Sequence, residues 1–230
     1  MQAHAAPVVE PAGGPLPMEP TPLLRVDGVL KSFGAGPPWR RRRIEVLRGA
    51  SLEVRPGELV GLVGENGSGK SVLMQIVVGL LPRDGGDLAR PARLGYCPQQ
   101  PLVWEKLTVA EHFELFATAY EMDEAATDAA AKSLMDELGF ARYRDYRVEN
   151  LSGGTRQKLN LSLALMHDPQ LLLLDEPYSG FDWETYLRFW DMAERRRAAG
   201  MGVLVVSHLL AERDRLTRIY ELRDGRCELA

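Results

Sequence analysis

Two kinds of apolar pattern alternate along this chain. Short runs without polar side chains are typical of strands buried on both faces. Other segments return to an apolar residue every three or four positions, which predicts amphipathic helices. Such apolar runs occur at residues 59–63, 171–174 and 203–206. Further strand signals occur at 23–30, 45–47, 51–54 and 218–222, with a short last strand after a turn at 224–225. The helical pattern occurs at about residues 70–78, 107–120, 124–138, 152–166 and 183–199.

The order of these elements predicts a fold class. Strands alternate with helices around one all-helical stretch in the middle of the chain, and this order is typical of a three-layer α/β domain with a mostly parallel sheet. Residues 1–22 are rich in Pro and Gly and lack a periodic apolar face, so we expect a disordered tail before a domain at 23–230. Residues 36–43 (GPPWRRRR) predict an exposed loop and not a strand, because two prolines interrupt them and four adjacent arginines repel one another.

Composition excludes several classes of protein. The 230 residues are 45% apolar and 26% charged, as in ordinary soluble domains, and the net charge of −4 gives no reason to expect binding to nucleic acid. Cys97 and Cys227 are far apart and form no CxxC pair, which favours two reduced thiols over a disulfide framework or a zinc site. No apolar run is long enough to span a membrane and the N-terminus does not resemble a signal peptide, so we expect any membrane role to require a partner.

A glycine-rich segment follows the apolar strand at 59–63. It fits the pattern G-x-x-x-x-G-K-[ST] between a strand and a helix, as a phosphate-binding loop requires. Glycines let backbone N–H groups turn toward phosphate oxygens, and the next helix adds the positive end of its dipole. Lys70 is expected to reach the β- and γ-phosphates and Ser71 to bind Mg²⁺. The alternative is a glycine-rich turn with an incidental lysine. The loop consists of Gly64, Glu65, Asn66, Gly67, Ser68, Gly69, Lys70 and Ser71.

Two acids end the apolar strand at 171–174. Ligands of parallel sheets bind outside the carboxyl ends of the strands, where Asp175 and Glu176 stand. We expect Asp175 to hold the Mg²⁺ shell and Glu176 to act as general base toward an attacking water. An ordinary acidic turn is the alternative, and the phosphate-binding loop upstream makes it the weaker interpretation.

The sequence Leu151-Ser152-Gly153-Gly154 resembles the signature of the ATP-binding cassette family, the nucleotide-binding subunits of ABC transporters. A serine and glycine amides at a helix start suit phosphate binding, although a Ser-capped helix needs no ATP. The resemblance covers about residues 23–230. It implies a P-loop NTPase-type, mostly parallel sheet core with a small antiparallel β subdomain and an inserted helical subdomain at about 105–165.

Other family motifs follow in order, and the resemblance implies a role for each. Phe33 stands where the family stacks an aromatic residue on adenine, with a core position as the alternative. Gln99, or Gln100 in another register, resembles the glutamine that reaches Mg²⁺ and water and touches the membrane partner. Asp182 ends the segment SGFD, which is similar to the family's SGLD loop. The resemblance implies that Asp182 belongs to the nucleotide-binding residues. His208 follows a buried strand as the family's catalytic switch histidine does.

The chain also departs from the family pattern. Thr155 replaces the usual Gln of LSGGQ, and we expect ATP binding to survive because Ser152 and the glycines are kept. Tyr178 replaces the usual Thr after Glu-Pro. Between Gly86 and Gly95 only eight residues remain for a usually longer hairpin, so we expect a trimmed antiparallel subdomain. The combination resembles the export branch of the family more than the import branch.

The resemblance implies an ATPase subunit of a bacterial ABC transporter, with ATP and Mg²⁺ as cofactors. It implies two partners, a second cassette bound head to tail and a separate transmembrane permease, and no nucleic acid. The implied location is cytoplasmic and peripheral, on the inner face of the cell membrane. The alternative is a soluble ABC ATPase acting in cofactor assembly or on DNA or ribosomes. A non-hydrolytic regulatory module is disfavoured because Glu176 and Lys70 are present.

Overall fold

The computed structural model describes residues 21–35, 42–207 and 213–230, and these form two sheets with helices packed around them. The strands are β1 (Leu24–Ala35), β2 (Arg42–Val54), β3 (Leu59–Val63), β4 (Gly85–Ala89), β5 (Leu94–Cys97), β6 (Leu171–Asp175), β7 (Gly202–Val206), β8 (Arg218–Arg223) and β9 (Arg226–Leu229). The smaller sheet is antiparallel, in the order β2-β1-β4. The larger has the order β5-β6-β7-β3-β8-β9 and is parallel except for β9.

Five α-helices of the described residues complete the layers. They are α1 (Lys70–Val78), α2 (Val109–Ala119), α3 (Glu124–Glu137), α4 (Gly153–Leu165) and α5 (Trp183–Ala198). Polar N-cap side chains fix the residues at which several of these helices begin. The side chain of Thr108 accepts the N–H of Glu111, whose carboxylate in turn accepts the N–H of Thr108, and this reciprocal capping box begins α2. Ser152 caps α4, as the sequence predicts.

The core lies on both faces of the larger sheet. On β6, Leu172 and Leu174 face one apolar cluster with α2 to α5, while Leu171 and Leu173 face the other cluster with α1 and the smaller sheet. Because successive strand residues point to opposite faces, a strand buried on both sides must be apolar at every position. The predicted three-layer α/β class with a parallel core and a small antiparallel sheet is confirmed.

The hairpin of β1 and β2 corrects the sequence prediction in two ways. We expected the first strand at 23–30, but β1 continues to Ala35, and the separate signals at 45–47 and 51–54 belong to one strand that begins at Arg42. Arg42 and Arg43, which we expected in a loop, pair with Ala35 and Gly34. Charge repulsion does not prevent this, because alternate side chains leave on opposite faces and Arg43 forms an ion pair with Asp84 at 3.3 Å.

Some sequence predictions fall outside the described residues. They are the N-terminal tail up to residue 20, the part of the arginine-rich segment at 36–41, and His208. In the described part of the chain, no helix combines the length and apolar character that crossing a bilayer requires.

Candidate functional site

One edge of the larger sheet gathers the predicted chemistry. The parallel strands β5, β6, β7 and β3 are adjacent in that order, so their carboxyl ends meet at this edge. The residues that follow them are Gln99 after β5, the acidic pair at the end of β6, Ser207 after β7 and the glycine-rich loop after β3. This edge is where open parallel sheets bind their ligands.

The glycine-rich loop closes tightly between β3 and α1. Gly69, the residue before α1, has φ +108°, a left-handed value that favours glycine, and a Cβ there would lie 3.0 Å from Cγ1 of Val46. A Cβ on Gly64 would lie 2.5 Å from the carbonyl oxygen of Leu222. The left-handed φ at Gly69 and the close backbone of β8 at Gly64 therefore favour glycine at these positions.

Two polar groups of this loop are buried. The ammonium group of Lys70 donates to the carbonyl oxygens of Gly64 at 2.7 Å and Glu65 at 2.9 Å. The hydroxyl of Ser68 is buried, and no described residue forms a hydrogen bond with it. A buried hydroxyl without a partner is costly, so the loop has capacity for a further polar ligand.

The predicted metal residues Ser71 and Asp175 lie at the same edge of the sheet. The first residues of α1 meet the end of β6, and the Ser71 hydroxyl is near enough to the Asp175 carboxylate to influence its pKa. Burial raises the pKa of Asp175, and the nearby charge of Glu176 raises it further. The Ser71 hydroxyl and the charge of Lys70 lower this pKa and so oppose the rise. Positive charge in this pocket therefore stabilises the ionised carboxylate.

Gln99 and Glu176 meet across the site although they are 77 positions apart in the chain. Nε2 of Gln99 donates to Oε2 of Glu176 at 2.8 Å, so Gln99 and not Gln100 makes this contact. Glu176 has φ +48°, an uncommon value for a residue other than glycine, and its N–H donates to the carbonyl of Val206 at 3.0 Å. The backbone turn thus directs this carboxylate to the edge of the sheet.

Asn160 is a supporting residue that the sequence predictions missed. It lies on the buried face of α4, and its amide nitrogen donates to the carbonyl of Pro98 at 2.9 Å and to Sγ of Cys97 at 3.2 Å. These bonds hold the segment just before Gln99. A polar residue at an apolar position of a predicted helix was the available signal.

Tyr178 is a second residue whose role was missed. Its hydroxyl donates to Oγ of Ser207 at 2.7 Å, and its ring packs against Phe189 and Trp190. The bond joins the loop after Glu176 to the end of β7. The departure from the family's usual Thr was visible in the sequence, but its distant partner was not.

The signature residues form the start of α4. The hydroxyl of Ser152 accepts the N–H of Thr155 at 3.2 Å and lies 2.9 Å from its hydroxyl. A Cβ on Gly154 would lie 2.5 Å from the carbonyl oxygen of Gly180, so the signature packs directly on the SGFD loop. Gly153 is exposed, and a Cβ there would meet no atom within 4 Å.

The predicted nucleotide residue Asp182 has a structural role in this chain. Its carboxylate accepts the N–H of Thr185 at 2.8 Å and caps α5. This hydrogen bond lowers the pKa of Asp182. Within a single copy of the chain, the contact that Asp182 makes is therefore the cap of α5.

A cavity of about 560 Å³ adjoins the glycine-rich loop. Glu65 to Ser68 line one side, and Ile44 and Val46 of β2 line another. Phe33 pairs with Ile44 across the hairpin and is 40% exposed, which contradicts a position in the core. The cavity has a volume typical of small-ligand sites, with an exposed aromatic ring on the adjacent hairpin.

Comparisons with known proteins assign the family. The family model described as ABC transporter matches residues 47–179, more than half of the chain. The Nod factor export ATP-binding protein I of Rhizobium meliloti (strain 1021) is 33% identical over 210 residues, which is 86% of this chain and 60% of that protein. The lipopolysaccharide export system ATP-binding protein LptB of Acidithiobacillus ferridurans is 32% identical over 219 residues, covering 89% of this chain and 88% of that one.

Solved structures agree with this assignment. The structure described as the ATP binding subunit of an ABC transporter has a TM-score of 0.79 at 28% identity and covers 90% of this chain and 89% of that one. A bacterial ABC transporter cassette solved as a dimer has a TM-score of 0.80 at 24% identity, covers 89% and 96% of the two chains, and supports the fold. The chain therefore belongs to the ABC transporter family, as one of its ATP-binding cassettes.

Proposed function

We propose that this chain hydrolyses ATP to power export through a separate membrane permease, which it joins at the inner face of the cell membrane. The observation that carries the proposal is the meeting of Lys70, the Ser71–Asp175 pair and the Gln99–Glu176 pair at one sheet edge. The names of two relatives, which concern export of Nod factor and of lipopolysaccharide by those proteins, support the direction of transport.

The glycine-rich loop fits the phosphates of a nucleotide. Its buried Ser68 hydroxyl and Lys70 ammonium group supply donors, and the backbone N–H groups at the start of α1 add more. Phe33 offers an exposed ring for the base, and its cross-strand partner Ile44 lines the cavity. Ser152 and Gly153 belong to a separate, exposed helix start and suit the nucleotide of a partner.

The Ser71–Asp175 pair fits Mg²⁺. Hydroxyl and carboxylate oxygens are the ligands that this ion prefers, and the protein needs to provide only one or two of them when phosphates and waters complete the shell. When bound, Mg²⁺ would neutralise charge that develops on the transferring phosphate. Asp175 is buried at the end of β6, so its carboxylate has a defined position toward the loop.

In this proposal Glu176 acts as the general base. Its carboxylate accepts a proton from water as that water bonds to the γ-phosphorus and the bond to the β-phosphate oxygen breaks. Gln99 donates to this carboxylate and thereby orients it. Lys70 and the loop amides stabilise the charge of the phosphates in the transition state.

A second copy of the chain completes each site in this proposal. The resemblance implies that Ser152, Gly153 and Gly154 of one copy contact the γ-phosphate held by the other. A two-fold dimer uses the same surfaces on both copies, so two equivalent sites form together.

Release of phosphate tests the proposal. Purified chain with ATP and Mg²⁺ is expected to release phosphate with a rate that rises as the square of protein concentration in the dilute range, because two copies build each site. Removing Mg²⁺ with EDTA is expected to stop release. No release, or a strictly linear dependence down to nanomolar protein, would count against the dimeric ATPase.

Phe33→Ala is expected to weaken ATP binding by roughly 1–3 kcal/mol, the scale of base stacking on an aromatic ring. The melting temperature is expected to change little because the ring is 40% exposed. Leu30→Ala is the matched control, since Leu30 lies on the same strand with 44% exposure. Titration with a fluorescent ATP analogue gives both affinities. A lower melting temperature with normal affinity would make Phe33 structural and leave Trp39, outside the described residues, as the next candidate.

Gly154→Ala is expected to destabilise the fold by about 1–3 kcal/mol, because the new methyl group would meet the Gly180 carbonyl at 2.5 Å. Gly153→Ala is the matched control, since its Cβ would enter open space one residue away. Urea unfolding of the two variants measures the difference. Equal stabilities would show that the SGFD loop moves aside at little cost.

A further inference from the structure

The start of α4 contains a pair of hydroxyls in place of the usual family arrangement. Ser152 is the helix N-cap and Thr155 occupies the third helical position. A Gln at that position, as in LSGGQ, fits a capping box in which its side chain bonds to the backbone N–H of the cap. Thr155 instead places its hydroxyl 2.9 Å from the hydroxyl of Ser152.

The effect of this contact depends on the hydrogen-bond capacity of the Ser152 hydroxyl. A serine hydroxyl has two lone pairs and one proton. One lone pair of Ser152 Oγ accepts the N–H of Thr155 at 3.2 Å. If the Thr155 hydroxyl donates to the second lone pair, the proton of Ser152 is free to donate elsewhere. If Ser152 donates to Thr155, that proton is consumed.

The surroundings favour the first arrangement when an anion approaches. Ser152 is exposed, whereas Thr155 is buried at 7% exposure. A phosphate oxygen is an acceptor and therefore selects the state in which Ser152 donates outward. A chain of hydroxyls that donate in the same direction strengthens each bond in it. The branched Cβ of Thr155 also restricts its side-chain rotation in the helix.

We propose that Thr155 is a positioning residue that donates to Ser152 Oγ and so directs the Ser152 proton to a γ-phosphate oxygen held by a second copy of this chain. The inference rests on the proposed function, in which the signature contacts the partner's nucleotide. It assigns to Thr155 a role in ATP-dependent dimerisation.

The experiment compares Thr155→Val with Thr155→Ser, both combined with Glu176→Gln so that ATP is not consumed. Valine keeps the shape and removes the hydroxyl, whereas serine keeps the hydroxyl. Sedimentation velocity with ATP and Mg²⁺ measures the dimer dissociation constant. We expect a roughly ten- to hundredfold weaker dimer for valine, because one hydrogen bond is lost at each of the two equivalent sites, and a value within about twofold of the parent for serine. The affinity of the dilute monomer for ATP is expected to stay the same in both.

Ser152→Ala, alone and with Thr155→Val, separates this inference from the proposed function. If Thr155 acts through Ser152, valine at 155 has no further effect once Ser152 is alanine. A weaker dimer for Ser152→Ala with full dimerisation for Thr155→Val would overturn the role of Thr155 and leave the proposed function standing. Unchanged dimerisation for Ser152→Ala would instead contradict the role of the signature itself. Additive effects of the two substitutions would make Thr155 merely structural.

Discussion

Lys70→Ala is expected to abolish ATP turnover, with a loss of at least about 10²-fold, which is the effect of removing one preorganised charged donor at a transition state. The ammonium group is buried in the glycine-rich loop, 2.7 and 2.9 Å from two loop carbonyls. Alanine removes the positive charge that the proposed function assigns to the phosphates, and it leaves those carbonyl dipoles uncompensated. ATP affinity, measured by equilibrium dialysis, and phosphate release, measured at saturating ATP, report the two parts of this loss.

Lys132→Ala is the control for the change in net charge. Lys132 is exposed on α3, away from the sheet edge, so both ATP affinity and turnover are expected to stay normal. Unchanged affinity together with unchanged turnover in Lys70→Ala would refute the assignment of the phosphate-binding loop.

Glu176→Gln is expected to retain ATP affinity, reduce turnover by about 10²–10⁴-fold and accumulate a stable dimer. The range is that of general acid–base catalysis. Glutamine has nearly the same shape, and its carbonyl oxygen can accept the bond that Gln99 now donates at 2.8 Å. It cannot take a proton from water, so the phosphate contacts persist while the reaction stops. Size-exclusion chromatography with ATP and Mg²⁺ detects the dimer.

The double variant Lys70→Ala/Glu176→Gln provides the control. It is expected to remain monomeric at the same ATP concentration, because trapping requires bound nucleotide. Hydrolysis at the wild-type rate by Glu176→Gln would exclude Glu176 as the base. A dimer that forms equally well without ATP would show that nucleotide does not join the two copies.

The elements of this fold with strong local signals could be predicted. Strand β3 and helix α1 have the predicted limits, because an uninterrupted apolar run, a glycine-rich turn and a helical period follow one another directly. The cap at Ser152 was predictable for the same reason, since a cap depends on residues within one turn. Charge and proline misled the prediction at Arg42 and Arg43, where pairing with β1 decided the structure.

The chemical types in the site were also visible in the sequence, but their partners were not. Asp175 and Glu176 end an apolar strand, and that position alone predicts an acidic edge. Nothing near Glu176 in the sequence indicates that Gln99 bonds to it, nor that Asn160 holds the segment before Gln99.

The sequence by itself determined the glycine-rich loop, the limits of β3 and α1 and the cap at Ser152, because steric limits and periodicity act over a few neighbouring residues. Only the tertiary structure decided which side chains meet: Gln99 with Glu176, Tyr178 with Ser207, and Gly154 with Gly180. These contacts depend on the order of strands in the sheet and on the packing of α4 against the SGFD loop. The strand order and this packing result from burial of apolar side chains throughout the core, and each local pattern supplies only some of those side chains.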